Sequence, residues 1–285
     1  MPNSKDSRTT PETQGKTLWA PPKGALGALI KAATDRAAAL ERRTSELEAE
    51  ALAMPRAPSL FSALRASHVA VIAEIKRASP SLGGIRPGLD AEAQARAYRR
   101  GGAAAISVLT EPDRFGGSDD DIRTAARGAA LPILRKDFHV SVSQLHEARC
   151  LGASAALLIA RALEPALFSH FLEAARAIEL EIVAEVRDIA ELDRVLAAGA
   201  TIIGVNNRNL ESLVIEQGTA ESLIPRIPHG VIAVAESGYA DRASIERVAA
   251  CGADAVLIGS FLSASADPRA EVERLTGVGR VNRGR

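Results

Sequence analysis

Val69-Ala-Val-Ile-Ala-Glu-Ile-Lys76 is the stretch on which the fold turns: five apolar residues of β-like character end, and charge begins at Glu74 and Lys76. The same event recurs along the chain. Pro132–Leu134 gives way to Arg135-Lys136-Asp137, Ile182–Ala184 to Glu185, and Thr201–Val205 to Asn206-Asn207-Arg208. Val231–Ala235 ends at Glu236-Ser237-Gly238, and Asp254–Ile258 at Gly259-Ser260. A parallel strand covered on both faces has no low-energy place for an unpaired ion. Polar residues that recur at the same end of many strands therefore belong to one site assembled from separate stretches of chain.

Ala103–Leu109 and Ala155–Ile159 have the same character, which makes eight runs. Helix-like segments lie between them, among them Ala91–Arg100, Ser143–Leu151, Pro165–Ile178, Ala190–Ala198 and Ala243–Ala250. Alternation of this kind predicts βα units and a parallel sheet. Eight units fit an α/β fold of the (β/α)8 TIM-barrel type, for which about 250 residues is typical; a doubly wound open sheet is the competing architecture. Gly-Ala pairs close a helix and open a run at Gly102-Ala103, Gly152-Ala153, Gly199-Ala200 and Gly252-Ala253. These joints precede the second, fourth, sixth and eighth runs, as a repeated (βα)2 module would place them.

Composition sets the remaining bounds. The chain has 285 residues, 47% of them hydrophobic, enough for one sizeable core. A formal net charge of zero gives no general attraction to nucleic acid or to a membrane surface, so neither is an expected partner. The two cysteines, Cys150 and Cys251, make no disulfide framework and suit a reducing cytoplasm. No apolar run has the length of a membrane span, and no basic-then-apolar leader opens the chain. Residues 1–22 are polar and aperiodic and are expected to be a mobile, disordered tail holding the only tryptophan, Trp19. Residues 23–276 form the expected barrel domain. It begins with an extra N-terminal helix over Leu26–Ala53, which could plug the lower end or cover the substrate mouth. Residues 277–285 are expected to fray.

The charged strand ends supply the candidate chemistry. Lys136, at the end of the third run, could be a proton donor, a Schiff-base nucleophile, a substrate clamp or half of a structural ion pair. Glu74 and Lys76 stand two apart on the first strand and so share a face. Glu185 and Glu236 repeat the pattern on strands five and seven. Three glutamates and two lysines around one rim weigh toward a site rather than a scaffold of ion pairs. Ser237-Gly238 after the seventh run and Gly259-Ser260 after the eighth match the loops with which barrels hold phosphate through backbone N–H groups. A phosphorylated small-molecule substrate follows. His68, His139, His146, His170 and His229 show no metal-ligand spacing, and no P-loop or dinucleotide fingerprint occurs. Neither a metal nor another cofactor is expected.

Glu74-Ile-Lys-Arg-Ala-Ser-Pro-Ser81, Leu109-Thr-Glu-Pro-Asp-Arg-Phe-Gly-Gly-Ser118, Leu134-Arg-Lys-Asp-Phe138 and Ile203-Gly-Val-Asn-Asn-Arg-Asn-Leu210 resemble the motifs of the indole-3-glycerol phosphate synthases. So do Ala235-Glu-Ser-Gly238 and Leu257-Ile-Gly-Ser-Phe-Leu262, and the resemblance runs from about Leu26 to Leu262. It implies a carboxy-lyase of tryptophan biosynthesis. The reaction closes the indole ring of 1-(2-carboxyphenylamino)-1-deoxyribulose 5-phosphate with release of carbon dioxide and water. Association with other enzymes of that pathway is a further expectation of the resemblance.

Carried over by motif, Lys136 resembles the general acid that protonates the substrate carbonyl. Glu185 resembles the carboxylate that serves dehydration and stabilises the cationic intermediate. Glu74 and Asn206 match residues that orient the lysine and the substrate hydroxyls, and Lys76 matches one serving the phosphate and carbonyl ends. Arg208 is expected on the anthranilate carboxylate, with Glu236, Ser237 and Ser79 at other substrate-binding positions. Gly238, Gly259 and Ser260 are expected on phosphate, and Phe115, Phe138 and Leu157 around the aromatic ring. Three departures stand out: Leu82 where many relatives carry Lys, His139-Val-Ser-Val-Ser143 where Ile/Val-Asp is usual, and Arg187 where His is common.

Overall fold

The computed structural model describes residues 19–283. Residues 1–18 of the expected tail, and the last two of the expected fray, lie outside the described residues. Eight parallel strands close into a barrel: β1 (Ala70–Ile75), β2 (Ala105–Leu109), β3 (Ile133–Lys136), β4 (Ala155–Ile159), β5 (Glu181–Val186), β6 (Ile202–Asn206), β7 (Ile232–Glu236) and β8 (Ala255–Ile258). Each strand pairs with the next in sequence, and β8 closes on β1 through Ala70↔Ala255 to Ala73↔Ile258. The helices are α1 (Gly24–Glu41), α2 (Thr44–Ala53), α3 (Leu60–Ala63), α4 (Ala91–Arg100), α5 (Pro112–Phe115), α6 (Asp120–Ala129) and α7 (Val142–Cys150). They continue with α8 (Pro165–Ala177), α9 (Ile189–Ala197), α10 (Gly218–Leu223), α11 (Arg242–Ala250), α12 (Ser260–Ala264) and α13 (Pro268–Leu275). The fold is a (β/α)8 barrel, and the open sheet is excluded by the closure of β8 on β1.

The Gly-Ala joints end four helices in one way. Gly102, Gly152, Gly199 and Gly252 have φ of 93°, 95°, 82° and 91°, the left-handed region that a side chain disfavours. Each glycine N–H donates to the carbonyl three residues back, and each following alanine N–H to the carbonyl five back, as in Ala103 N–H to Tyr98 O at 3.0 Å. This is the Schellman pattern. It turns the chain straight from helix into strand.

Alternation along the strands divides the apolar residues into two layers. Val71, Ile106, Leu158, Ile203 and Val256 face outward and pack with the helices. Ile72, Leu134, Leu157, Val183, Ile202, Val234 and Leu257 face inward, in one cluster with residues of α1 and α3.

The expected helix over Leu26–Ala53 is two helices, broken at Arg42-Arg43. Arg43 leaves helical geometry at φ −117°, and the Thr44 hydroxyl donates to Glu41 O at 2.9 Å. The break carries no Gly or Pro signal. It arises because α1 must bury Leu26, Leu29 and Ala33 in the cluster of the inner strand faces, while α2 turns aside to pack along α7. Of this segment, α1 reaches the mouth of the barrel, and it is the following α3 that fills the other end. Leu29 of α1 lines the cavity at the strands' carboxyl ends. Leu60 and Leu64, fully buried around α3, fill the opposite end, where Ser59 Oγ donates to Glu181 Oε1 at 2.6 Å.

Trp19, within the expected tail, is docked: its indole N–H donates to Arg161 O at 3.4 Å, and Arg161 donates to Ala20 O at 2.7 Å. The expected C-terminal fray is likewise replaced by packing over residues 277–283. Val278 is buried and accepts from Val69 N–H at 2.9 Å. Arg283 and Arg280 both bind the fully buried Asp254 at the start of β8, Arg283 at 2.8 Å. A buried carboxylate needs such partners, and here the end of the chain supplies them. None of the described helices is long and apolar enough to cross a membrane.

Candidate active site

The strand-end residues converge because each lies at an inward position of its own strand. A cavity of about 630 Å³ opens at the carboxyl ends of the strands, within the size range of small-molecule sites. Its lining includes every site residue expected from the sequence: Glu74, Lys76, Ser79, Phe115, Lys136, Phe138, Leu157, Glu185, Asn206, Arg208, Glu236, Ser237, Gly238, Gly259 and Ser260.

Two glycines give the carboxylates their room. Gly204 pairs with Glu185 and Val234, and a Cβ placed on it would collide with Glu236 Oε1. A Cβ on Gly259 would collide with Glu74 Oε1. Any side chain at either position would displace an acid.

The ion pairs sort the charges. Lys136 Nζ donates to Glu185 Oε2 at 3.3 Å and lies 3.2 Å from Glu236 Oε2. Glu74 pairs with Lys76 at 2.8 Å rather than with Lys136, and its other oxygen accepts from Ser107 Oγ at 3.4 Å. The expected orientation of Lys136 by Glu74 therefore has no direct contact behind it; Glu185 and Glu236 hold the lysine. Burial works against the Lys136 ammonium, but the fields of Glu236, Glu185 and Glu74 outweigh it and raise its pKa above the ordinary lysine value. Lys136 thus carries its proton as an ammonium. Burial pushes the Glu236 carboxyl up to about 7; Lys136 opposes this, and the Glu185 and Glu74 carboxylates add to it. Neither oxygen of Glu236 accepts a hydrogen bond from a described group, although Lys136 stands nearby.

A pH dependence follows with a definite sign. A carboxyl whose folded pKa is raised favours the fold below its unfolded value, near 4.5, and that contribution is lost as pH rises through about 7. Glu191 is also raised to about 7, chiefly by burial, so total stability mixes the two groups. The comparison with Glu236→Gln isolates one. Stability of the wild type relative to Glu236→Gln is expected to fall between pH 4.5 and 7, read as unfolding midpoints in denaturant. A difference constant over that range would mean that Glu236 titrates alike in the folded and the unfolded chain.

Local turns place the walls. Glu111, fully buried, accepts from the N–H groups of Asp113, Arg114 and Phe115, with Pro112 at the first helical position, so Phe115 ends a single tight turn, α5. Its ring lies 6.3 Å from that of Phe138. Asp137 anchors the chain between Lys136 and Phe138, accepting from Thr110 Oγ1 at 2.6 Å and from Arg36 of α1 at 3.3 Å. Burial alone would raise its carboxyl; the Arg135 guanidinium leads the effects that hold it below the usual carboxylate value. Arg208 Nη1 donates to Ser81 Oγ at 3.3 Å and Leu213 O at 3.0 Å, while Asn206 Oδ1 accepts from Arg208 N–H at 2.9 Å. That leaves the Asn206 amide nitrogen for the cavity.

Leu29, Ser81, Asp137, Leu213 and Tyr239 also line the cavity and were not singled out from the sequence. Only Asp137 carried a signal, its place beside Lys136; the others depend on how distant loops meet. Of the departures, Leu82 is 63% exposed on the mouth, and His139 is buried with Nδ1 2.8 Å from Leu157 O. Arg187 lies 2.7 Å from Glu216. Among the described residues no cluster of His, Cys, Asp and Glu is arranged to hold a metal ion.

Comparison with known proteins bears on what this cavity does. The family model described as indole-3-glycerol phosphate synthase matches residues 28–275. The indole-3-glycerol phosphate synthase of Mycolicibacterium vanbaalenii is 43% identical over 256 residues, which cover 89% of this chain and 94% of that protein. The enzyme of the same name from Mycobacteroides abscessus is 44% identical over 233 residues, covering 82% and 86%. Among solved structures, thiamine phosphate pyrophosphorylase from Pyrococcus furiosus superimposes with a TM-score of 0.55 at 18% identity, over 73% of this chain and 94% of that one, a likeness of fold alone.

Proposed function

The chain belongs to the indole-3-glycerol phosphate synthase family, carboxy-lyases of tryptophan biosynthesis, and from that premise we propose how its own residues divide the work. Lys136 is the general acid. Its ammonium sits among three carboxylates that keep it charged, and it donates to the substrate carbonyl oxygen as the aromatic carbon attacks. Glu185, in contact with the same ammonium, serves the later loss of water and stabilises the cationic intermediate. Lys76, Glu74 and Asn206 orient the sugar chain. Phe115, Phe138 and Leu157 enclose the anthranilate ring, and Arg208 takes its carboxylate as a fork. Ser79, Glu236 and Ser237 contact the substrate, and Lys76, Gly238, Gly259 and Ser260 hold the phosphate.

The observation that carries this reading is the Lys136 ammonium held within 3.3 Å of both Glu185 and Glu236, in a cavity walled by two phenylalanines. The substrate is a small phosphorylated molecule. The catalytic unit spans residues 23–276, works in the cytoplasm without nucleic-acid or membrane partners, and associates with neighbouring enzymes of the pathway. Purified protein given 1-(2-carboxyphenylamino)-1-deoxyribulose 5-phosphate, with no added metal or cofactor, is expected to generate indole fluorescence continuously. Tight binding without turnover would reduce the cavity to a binding module.

A further inference from the structure

Asn207 follows the last residue of β6, is 1% exposed and does not line the cavity. Its side chain joins three segments. The amide nitrogen donates to Ser237 O at 3.0 Å and to the Tyr239 hydroxyl at 3.2 Å, one on each side of Gly238. Its Oδ1 accepts from Ala220 N–H, in α10, at 2.9 Å. The main chain adds two ties: Asn207 N–H donates to Glu236 O at 3.1 Å, and Asn207 O accepts from Glu216 N–H at 2.8 Å.

The turn it grips is unusual. Ser237 and Gly238 are successive residues with φ of 66° and 90°. A serine in the left-handed region persists only where its surroundings hold it there. Neither residue donates its N–H to another described group, and both line the cavity. A turn that leaves successive backbone N–H groups free makes an anion-binding concavity. Gly238 can adopt such a φ without help; Ser237 cannot, and Asn207 is the side chain that holds its carbonyl.

We infer that Asn207 is a positioning residue for the phosphate end of the substrate, acting through the Ser237–Gly238 turn. The inference rests on the reading of that turn as a phosphate-holding loop. Without the amide, the Ser237 carbonyl loses its donor, the left-handed conformation loses its support, and the turn's N–H groups disperse. The aromatic end of the cavity, around Phe115 and Phe138, shares no hydrogen bond with Asn207 and stays as it is.

That asymmetry is the test. Binding of inorganic phosphate and of anthranilate would be titrated separately on wild type and Asn207→Ala, with kcat and KM measured on the full substrate. The variant is expected to weaken phosphate binding and raise KM about tenfold or more, with anthranilate binding and kcat within about threefold. Equal weakening of both ligands, or unchanged phosphate binding, would overturn the inference and leave Asn207 a general structural bond. Should the alanine variant not fold, Asn207→Leu keeps the volume, lacks every donor and is read in the same way. Wild type that binds phosphate but never turns over would count against the synthase reading, not against Asn207. Wild type that binds no phosphate at all would remove the premise of the inference and overturn it.

Discussion

Lys136→Met is expected to fold, to bind the carboxyphenylamino-deoxyribulose phosphate and to lose activity by about 10²–10⁴-fold in kcat. The methionine occupies a similar length of the cavity and cannot donate. Two buried carboxylates, Glu185 and Glu236, lose the ammonium that stands within 3.3 Å of each. Glu236, whose carboxyl burial already pushes up, responds by retaining a proton, since burial disfavours an uncompensated charge. That relieves the fold but does not restore catalysis: the new proton sits on Glu236, and the preorganised positive charge that stabilised a developing oxyanion is gone. The phosphate loop and the aromatic walls are separate from this exchange, so KM should move far less than kcat. Steady-state indole fluorescence gives kcat, and direct titration of the substrate gives affinity. A kcat within tenfold of wild type would remove Lys136 from the chemistry and leave it a structural ion-pair partner.

Glu185→Gln is expected to produce a loss of the same order, about 10²–10⁴-fold in indole formation, with a different kinetic signature. Glutamine keeps the shape of the side chain and an oxygen facing Lys136, so the general acid stays in place. What disappears is the negative charge needed when water is lost. If Glu185 serves dehydration, the variant should still release carbon dioxide in a first turnover while indole lags behind it. Equal slowing of both products would move Glu185 to the earlier step. Combining the two substitutions should cost much less than the product of the single effects, because both residues act through one hydrogen-bonded pair. Full multiplicativity would mean that the acid and the carboxylate work independently.

Much of this was legible along the chain. Eight apolar runs, the helical segments between them and the four Gly-Ala joints are local signals, each set by side-chain alternation or by one left-handed residue, and they specify the barrel. The height of Lys136, Glu185 and Glu236 on their strands is local too, since a charge cannot lie deeper in a run covered on both faces. Where local signals were absent, the expectations fell short. Nothing at Arg42-Arg43 announces a break, because the break answers to where α1 and α2 must each pack. Nothing in the last residues announces a buried Arg283, because its partner Asp254 starts a strand elsewhere.

Sequence alone determined the architecture, the set of residues at the strand ends and the chemistry those residue types can perform. The tertiary structure alone decided the pairing: Glu74 with Lys76, Lys136 with both Glu185 and Glu236, and Asn207 beneath the Ser237–Gly238 turn. It also decided that Gly204 and Gly259 yield their side-chain space to two carboxylates. The physical reason is one of range. Backbone alternation assigns a residue its face and height within its own strand, whereas which charge meets which depends on the register at which eight separate strands close into a ring.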